Sequence, residues 1–216
     1  MSKEDLENKF KDLENHILEL GIKYIEPHYI EPNKVPSENP NDYKLDVNSF
    51  CILCHAAFEE FLEDVTLYSI ERIDKEFNYR NRKMSFATIC LLHFDGHPLG
   101  LTEDKKWDST YLKDYFASRL AERKSELSKY ATQENHGIDV KYLRKLLLPI
   151  GIDVPRDPKE LSALSTLKNI RGIYAHSYAR NNKPLAPEDA EKAVDDVLGM
   201  VTKIKDKALS MSYYVI

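Results

Sequence analysis

Glycine is scarce in this sequence, which contains seven glycines among 216 residues. Leucine, lysine, glutamate, alanine and aspartate are frequent instead, and this balance favours helices over a turn-rich all-β fold. Apolar residues make up 42% of the chain, so a packed interior can form. The length is sufficient for one good core and short for two independent domains.

Long apolar runs are also missing from the chain. No run approaches the roughly 18 residues of a membrane span. Residues 1–10 are charged and contain no apolar signal-peptide stretch. We therefore expect no membrane segment and a cytoplasmic location, where the three cysteines would be reduced.

Positive charge is in deficit overall, because the formal net charge is -5 at pH 7. This balance argues against a protein that coats nucleic acid through bulk electrostatics. It leaves room for a local basic patch.

The spacing of apolar residues predicts a series of helices. An amphipathic helix is expected over residues 6–24, because apolar side chains recur there at steps of three and four. Four prolines follow and predict an extended connector, at positions 27, 32, 36 and 40. Further helices are predicted over about 46–77, which is the central element, and over 86–94. A long helix that starts at 108 or 109 runs through Tyr130, and a short one runs from a cap at Asp139 to Pro149. The last two start at Asp157-Pro158 and near Pro187.

Arg171 stands out in the helix predicted after Asp157. Leu164, Leu167 and Ile170 share one side of that helix, and Arg171 falls within the same apolar stripe. A buried charge without a partner is costly, so this arginine must be paired or must line a cleft. A structural ion pair or a snorkelling side chain would satisfy the pattern equally well.

The surroundings of Arg171 are unusually cationic. Residues 161–187 contain no acidic residue, although Asp and Glu make up 36 of the 216 residues. The same window holds basic residues and a histidine, at Lys168, Arg171, His176, Arg180 and Lys183. A local cationic patch on an acidic protein is what a phosphate-binding site requires.

The segment LKNIRGIYAHS has an arginine, four residues and then a histidine. In this respect the sequence resembles the HEPN superfamily, whose signature is this spacing in a late helix. CHAAFEEFLED resembles the acid-bearing helix of RiboL-PSP-type HEPN domains and aligns Glu59 there, and YLRKLLLPIGID is similar to the run before the motif. The resemblance covers roughly residues 46–209.

The resemblance implies an all-α, antiparallel helical bundle with an additional N-terminal helix. We expect a single domain over residues 1–216, with the helix and connector at 1–44 and the bundle core at 45–216. The family also implies a homodimer that shares one cleft, and the apolar stripe from Leu6 to Tyr24 is a candidate surface for the second copy. Arg171 and His176 lie about 140° apart on a regular helix, so a bend at Gly172, a helix end near His176 or a dimer is needed to bring them together.

The family chemistry implies metal-independent RNA cleavage, in which the ribose 2′-OH attacks the adjacent phosphate and leaves a 2′,3′-cyclic phosphate. His176 would exchange protons and Arg171 would hold the charged phosphorane. The expected supporting or RNA-binding residues are Glu59, Asn169, Tyr174, Ser177, Tyr178 and Arg180, and the family alignment makes Glu59 a candidate partner for Arg171. A toxin or defence effector with an antitoxin or other partner protein is an expectation by analogy.

One position departs from the family pattern. Gly172 follows the motif arginine, where many HEPN nucleases have Asn, Asp or His. The missing polar group favours an alternative, a non-catalytic HEPN-like module that binds RNA or a protein partner. The acid-free window and the position of Arg171 favour the enzyme.

Two metal-like patterns are discounted. Cys51, Cys54 and His55 read formally as a haem-attachment motif or half a zinc site, but no second CxxC exists. One helical turn apart, the two cysteines fit a core better. The HFDGH segment, with His93 and His97, is explained equally well by a polar loop. We expect no metal and no cofactor.

Overall fold

The computed structural model describes residues 1–30, 35–36, 39–79, 84–93, 109–134, 137–176 and 185–211, although not every side chain within them. These residues form seven α-helices: α1 (Lys3–Tyr24), α2 (Pro40–Tyr79), α3 (Phe86–His93), α4 (Ser109–Gln133), α5 (Val140–Leu147), α6 (Pro158–His176) and α7 (Pro187–Ser210). Two-residue strands, β1 (Tyr29–Ile30) and β2 (Val35–Pro36), pair antiparallel with Tyr29 opposite Pro36. The predicted all-α bundle is confirmed.

Helix α2 is the central element, as the sequence predicted. It contacts each of the other six helices in the described part of the chain. Its buried side chains run from Tyr43 near one end to Phe77 near the other. Exposed residues, among them Ala56 and Glu60, mark its outer face, and the broad buried face is what a helix packed against several others requires.

The predicted start of α2 was wrong by about six residues. The helix begins at Pro40, so the boundary expected between residues 44 and 45 falls inside it. Asn39 precedes it, and its Oδ1 accepts a hydrogen bond from the Asn41 N–H at 3.2 Å. Proline is tolerated in the first helical turn because its missing N–H would have no helical partner there.

The apolar stripe of α1 is used within the chain. Leu6, Phe10, Leu13, Ile17 and Leu20 are all buried, and α1 packs mainly on α2. This stripe therefore joins the core of the chain and does not supply a surface for a second copy.

Two predicted helix caps near α6 are present. Asp139 caps α5, and its Oδ1 accepts from the Tyr142 N–H at 2.7 Å. Asp157 precedes Pro158 and accepts from the Lys159 N–H at 2.9 Å. Helix α6 then packs against both α2 and α7, with Leu164 and Leu167 buried, and Arg171 in its C-terminal half contacts Glu59 of α2.

No helix in the described ranges contains a stretch both long and apolar enough to cross a bilayer.

Candidate functional site

Helices α2 and α6 bring Glu59 and Arg171 together. The Oε2 of Glu59 lies 3.5 Å from Nη2 of Arg171. The Glu59 side chain is 13% exposed and that of Arg171 34% exposed, so the pair sits at the edge of the core with the guanidinium partly open to solvent. The sequence requirement that this arginine be paired or line a cleft is met by a carboxylate from the central helix.

A turn before α5 contacts both members of the pair. The Gly137 N–H donates to Oε1 of Glu59 at 2.6 Å. Gly137 has a φ of 108°, in the left-handed half of the map that side chains rarely adopt. A β-carbon built there would lie 1.9 Å from Nη1 of Arg171, so only glycine allows this backbone to approach the guanidinium.

His55 lies behind this turn, one helical turn before Glu59 on α2. Its ring is fully buried, and Nε2 lies 3.2 Å from the carbonyl oxygen of Ile138. Burial first, and then the positive charges of Arg171 and Lys168, lower the pKa of His55 to about 4, although the hydrogen bond to Ile138 opposes the shift. The imidazole is therefore neutral near pH 7.

The second cation on this part of α6 is also paired. Nζ of Lys168 lies 2.6 Å from Oδ2 of Asp139. Burial would raise the pKa of Asp139, but the hydrogen bonds from Lys168 and from the Tyr142 N–H outweigh it and lower the pKa. In space, the acid-free window thus faces two carboxylates from other elements, and the charges of Lys168 and Arg171 are each balanced.

The remaining predicted site residues are only partly placed. His176 is the last residue of α6, so Arg171 and His176 belong to one continuous helix that ends at the histidine. Asn169 is exposed on the same helix. The side chains of Tyr174 and His176 lie outside the described part of the chain, as do Ser177, Tyr178 and Arg180.

Gly172 is exposed, and a β-carbon built there would have no neighbour within 4 Å. Helix α6 continues through it. The position therefore has room for the polar side chain that many HEPN nucleases carry.

The cysteines behave as core residues, as the spacing indicated. Cys51 and Cys54 are buried, and burial raises the pKa of Cys51 to about 12. Cys90 is partly buried. Among the described residues, no three His, Cys, Asp or Glu side chains are placed to hold a metal ion. Of the HFDGH segment, only His93 lies in the described part.

Sequence reasoning missed two residues of this site. In the sequence His55 belongs to the CxxCH pattern, although its spacing of four from Glu59 places both on one face of a helix. No sequence pattern marks Gly137, because the need for a positive φ and for the absence of a β-carbon arises from contacts with α2 and α6.

The chain is an all-α bundle in which a carboxylate of the central helix pairs with a half-buried arginine of a late helix. These features are those of a HEPN-type helical domain. The family model of the RiboL-PSP-HEPN domain matches residues 4–210. The chain therefore belongs to the RiboL-PSP-HEPN family, and the match extends through α1. No curated protein and no solved structure matches the chain significantly.

Proposed function

We propose that this chain is a metal-independent endoribonuclease. HEPN domains are generally ribonucleases or nucleotide-binding modules. The observation that carries the choice is the guanidinium of Arg171, which lies on the helix that ends at His176. It is paired with Glu59, whose other carboxylate oxygen accepts a hydrogen bond from the Gly137 N–H. A positioned arginine and a histidine are the two groups that cleavage by an internal 2′-OH needs.

The pairing with Glu59 supports a role in positioning. A guanidinium carries five N–H donors in a rigid plane, so one carboxylate contact leaves donors for a phosphate. The partial burial of the pair raises the cost of any other orientation, because a displaced buried charge would be left without its partner. Arg171 is thus prepared to bind phosphate before RNA arrives.

In the proposed reaction, the ribose 2′-OH attacks the adjacent phosphorus and the bond to the 5′-oxygen breaks. Arg171 stabilises the charged phosphorane. His176 moves a proton to or from the reacting oxygens, as an imidazole can near neutral pH. Asn169, Tyr174, Ser177, Tyr178 and Arg180 are proposed to orient the RNA by stacking, hydrogen bonding or phosphate contact.

A second candidate function has its own support. Lys168 and Arg171 are balanced by Asp139 and Glu59, and Gly172 offers no polar group, so a binding module without catalysis is the alternative. Such a module would bind RNA or a protein. A role as a toxin or defence effector in the cytoplasm, restrained by an antitoxin or another partner protein, is proposed by analogy alone.

The chemistry of the cut tests the proposal. We expect products that end in a 2′,3′-cyclic phosphate, or in the monophosphate formed by its hydrolysis. A single 2′-deoxy substitution at the cleavage site should block the cut, because it removes the nucleophile. EDTA should not inhibit. Mass spectrometry of the products and a matched all-ribose control substrate provide the measurement.

Cleavage of the 2′-deoxy substrate, or inhibition by EDTA that an added divalent cation reverses, would contradict this chemistry. Binding of the all-ribose RNA without any cut would favour the alternative module.

We further propose that the active form is a homodimer. Arg171 and His176 lie about 140° apart around an ideal helix, and the described helix α6 has no break between them. Two copies related by a two-fold axis could bring the arginine of one to the histidine of the other. Light scattering should therefore show a dimer. A strict monomer at a protein concentration of roughly tens of micromolar would contradict the shared-cleft arrangement.

A further inference from the structure

His55 is a buried polar residue that the proposed reaction does not use. Its ring has no exposed surface, and it lies on the face of α2 that carries Glu59. The carbonyl oxygen of Ile138 can only accept a hydrogen bond, so Nε2 of His55, 3.2 Å away, carries the proton. The ring is therefore the Nε2–H tautomer.

His55 and Glu59 hold the backbone on either side of the Gly137–Ile138 peptide bond. Glu59 accepts from the N–H of Gly137, and His55 donates to the carbonyl of Ile138, the next residue. The α-carbon of Gly137 lies against the guanidinium: a β-carbon there would stand 1.9 Å from Nη1 of Arg171 and 3.3 Å from Cε1 of His55. Movement of the turn would therefore change the space that the guanidinium occupies.

Burial, and then the positive charges beside it, keep the pKa of His55 low and its ring neutral. Arg171 and Lys168 face it from α6, while the carboxylates of Glu59 and Asp139 are engaged with those two cations. A protonated ring would place a third positive charge in this buried corner. His55 is thus unsuited to exchange protons near neutral pH and suited to a fixed hydrogen bond.

Packing alone gives a poor account of this histidine. Its Nδ1 is buried and has no hydrogen-bond partner among the described residues. A buried acceptor without a partner opposes folding, and an apolar side chain would avoid that cost. What the imidazole supplies here, and an apolar residue would not, is the N–H to Ile138.

We propose that His55 is a positioning residue, whose Nε2–H fixes the Gly137–Ile138 turn and, through that turn and Glu59, the direction of the Arg171 guanidinium. The catalytic consequence rests on the proposed function of Arg171. The positioning itself does not depend on it and can be measured separately.

The first measurement follows the guanidinium directly. In protein labelled with ¹⁵N-arginine, the Nε–H signal of Arg171 is assigned by its loss in Arg171→Lys. His55→Leu, which removes the donor, should shift or broaden this signal. His55→Gln, whose amide nitrogen can reach the place of Nε2, should leave it close to the wild type. If His55→Leu fails to fold, His55→Asn, which is too short to reach Ile138, replaces it and should shift the signal likewise.

The second measurement follows cleavage. A displacement on the order of 1 Å at a reacting group can cost about 100-fold in rate. We expect His55→Leu to lower kcat by roughly 10- to 100-fold with little change in KM, and His55→Gln to retain most of kcat.

A matched control separates positioning from general damage to α2. Thr66 is buried on the same helix and bonds only the Leu62 carbonyl of its own helix among the described contacts. Thr66→Val should change stability without moving the Arg171 signal or kcat. An unmoved Arg171 signal in His55→Leu would overturn the inference, as would equal effects of His55→Leu and His55→Gln. If the wild type cuts no RNA, the proposed function fails and the Arg171 signal still decides the role of His55.

Discussion

Arg171→Ala and His176→Ala are each expected to abolish RNA cleavage while the helical fold is retained. Loss of a general acid–base group typically costs about 10²- to 10⁴-fold in rate. Loss of one donor to a developing oxyanion typically costs about 10²- to 10³-fold. Arg171 is only partly buried and lies at the edge of the core, so its truncation should not open a large cavity. Circular dichroism and a gel-based cleavage assay check both parts.

Arg171→Lys is the sharper variant. It keeps the positive charge and can still pair with Glu59, but it loses the planar fork that binds two phosphate oxygens at once. We expect it to remain badly impaired. The double variant of Arg171 and His176 should be little worse than either single variant, because residues that act on one transition state are not additive.

Lys168→Ala is the matched control for charge. Lys168 is a cation on the same helix, about one turn before Arg171, and it is paired with Asp139 in the way that Arg171 is paired with Glu59. Its removal should weaken RNA binding at most and leave kcat near the wild type. If both alanine variants of the motif cut RNA as the wild type does, the assignment of Arg171 and His176 is wrong.

The parts of this site that local chemistry encodes could be predicted from the sequence. The caps at Asp139 and Asp157 and the helix that carries Arg171 follow from nearby residues, and the structure contains all three. The contact between Glu59 and Arg171 joins distant parts of the chain. It was anticipated only because the family resemblance aligned Glu59, and periodicity alone could not have paired them.

The rest could not be predicted, because it depends on how separate elements meet. The acid-free window around Arg171 indicated a cationic patch, yet Glu59 and Asp139 reach it from α2 and from the cap of α5. The run of prolines predicts a connector at Pro40, because prolines usually end helices, whereas the first turn of a helix such as α2 accepts a proline. In both cases a correct local rule was overridden by position in the fold.

Among the glycines of the described chain, Gly137 is the one whose substitution by alanine is expected to damage the site most. Two effects combine there. A non-glycine residue at a φ of 108° is strained, at a cost of about 1–3 kcal/mol. The new methyl group would also stand 1.9 Å from Nη1 and 3.1 Å from Cζ of Arg171, so the guanidinium must move away from its place beside Glu59. We expect a lower free energy of unfolding and a kcat reduced by about 100-fold.

Two other glycines separate these effects. Gly151 also has a positive φ, 77°, but a β-carbon there would meet its nearest neighbours, in Ala87 and Phe86, at 3.4 Å or more. Gly151→Ala should therefore lower stability through backbone strain and leave cleavage nearly intact. Gly172→Ala, on an open face of α6, should raise stability by about 0.5–1 kcal/mol, because alanine is the better helix former. Denaturant unfolding and cleavage rates of the three variants, measured side by side, distinguish displacement of the guanidinium from loss of stability. If Gly137→Ala and Gly151→Ala lose stability and activity in the same proportion, the close approach of Gly137 to Arg171 has no catalytic consequence.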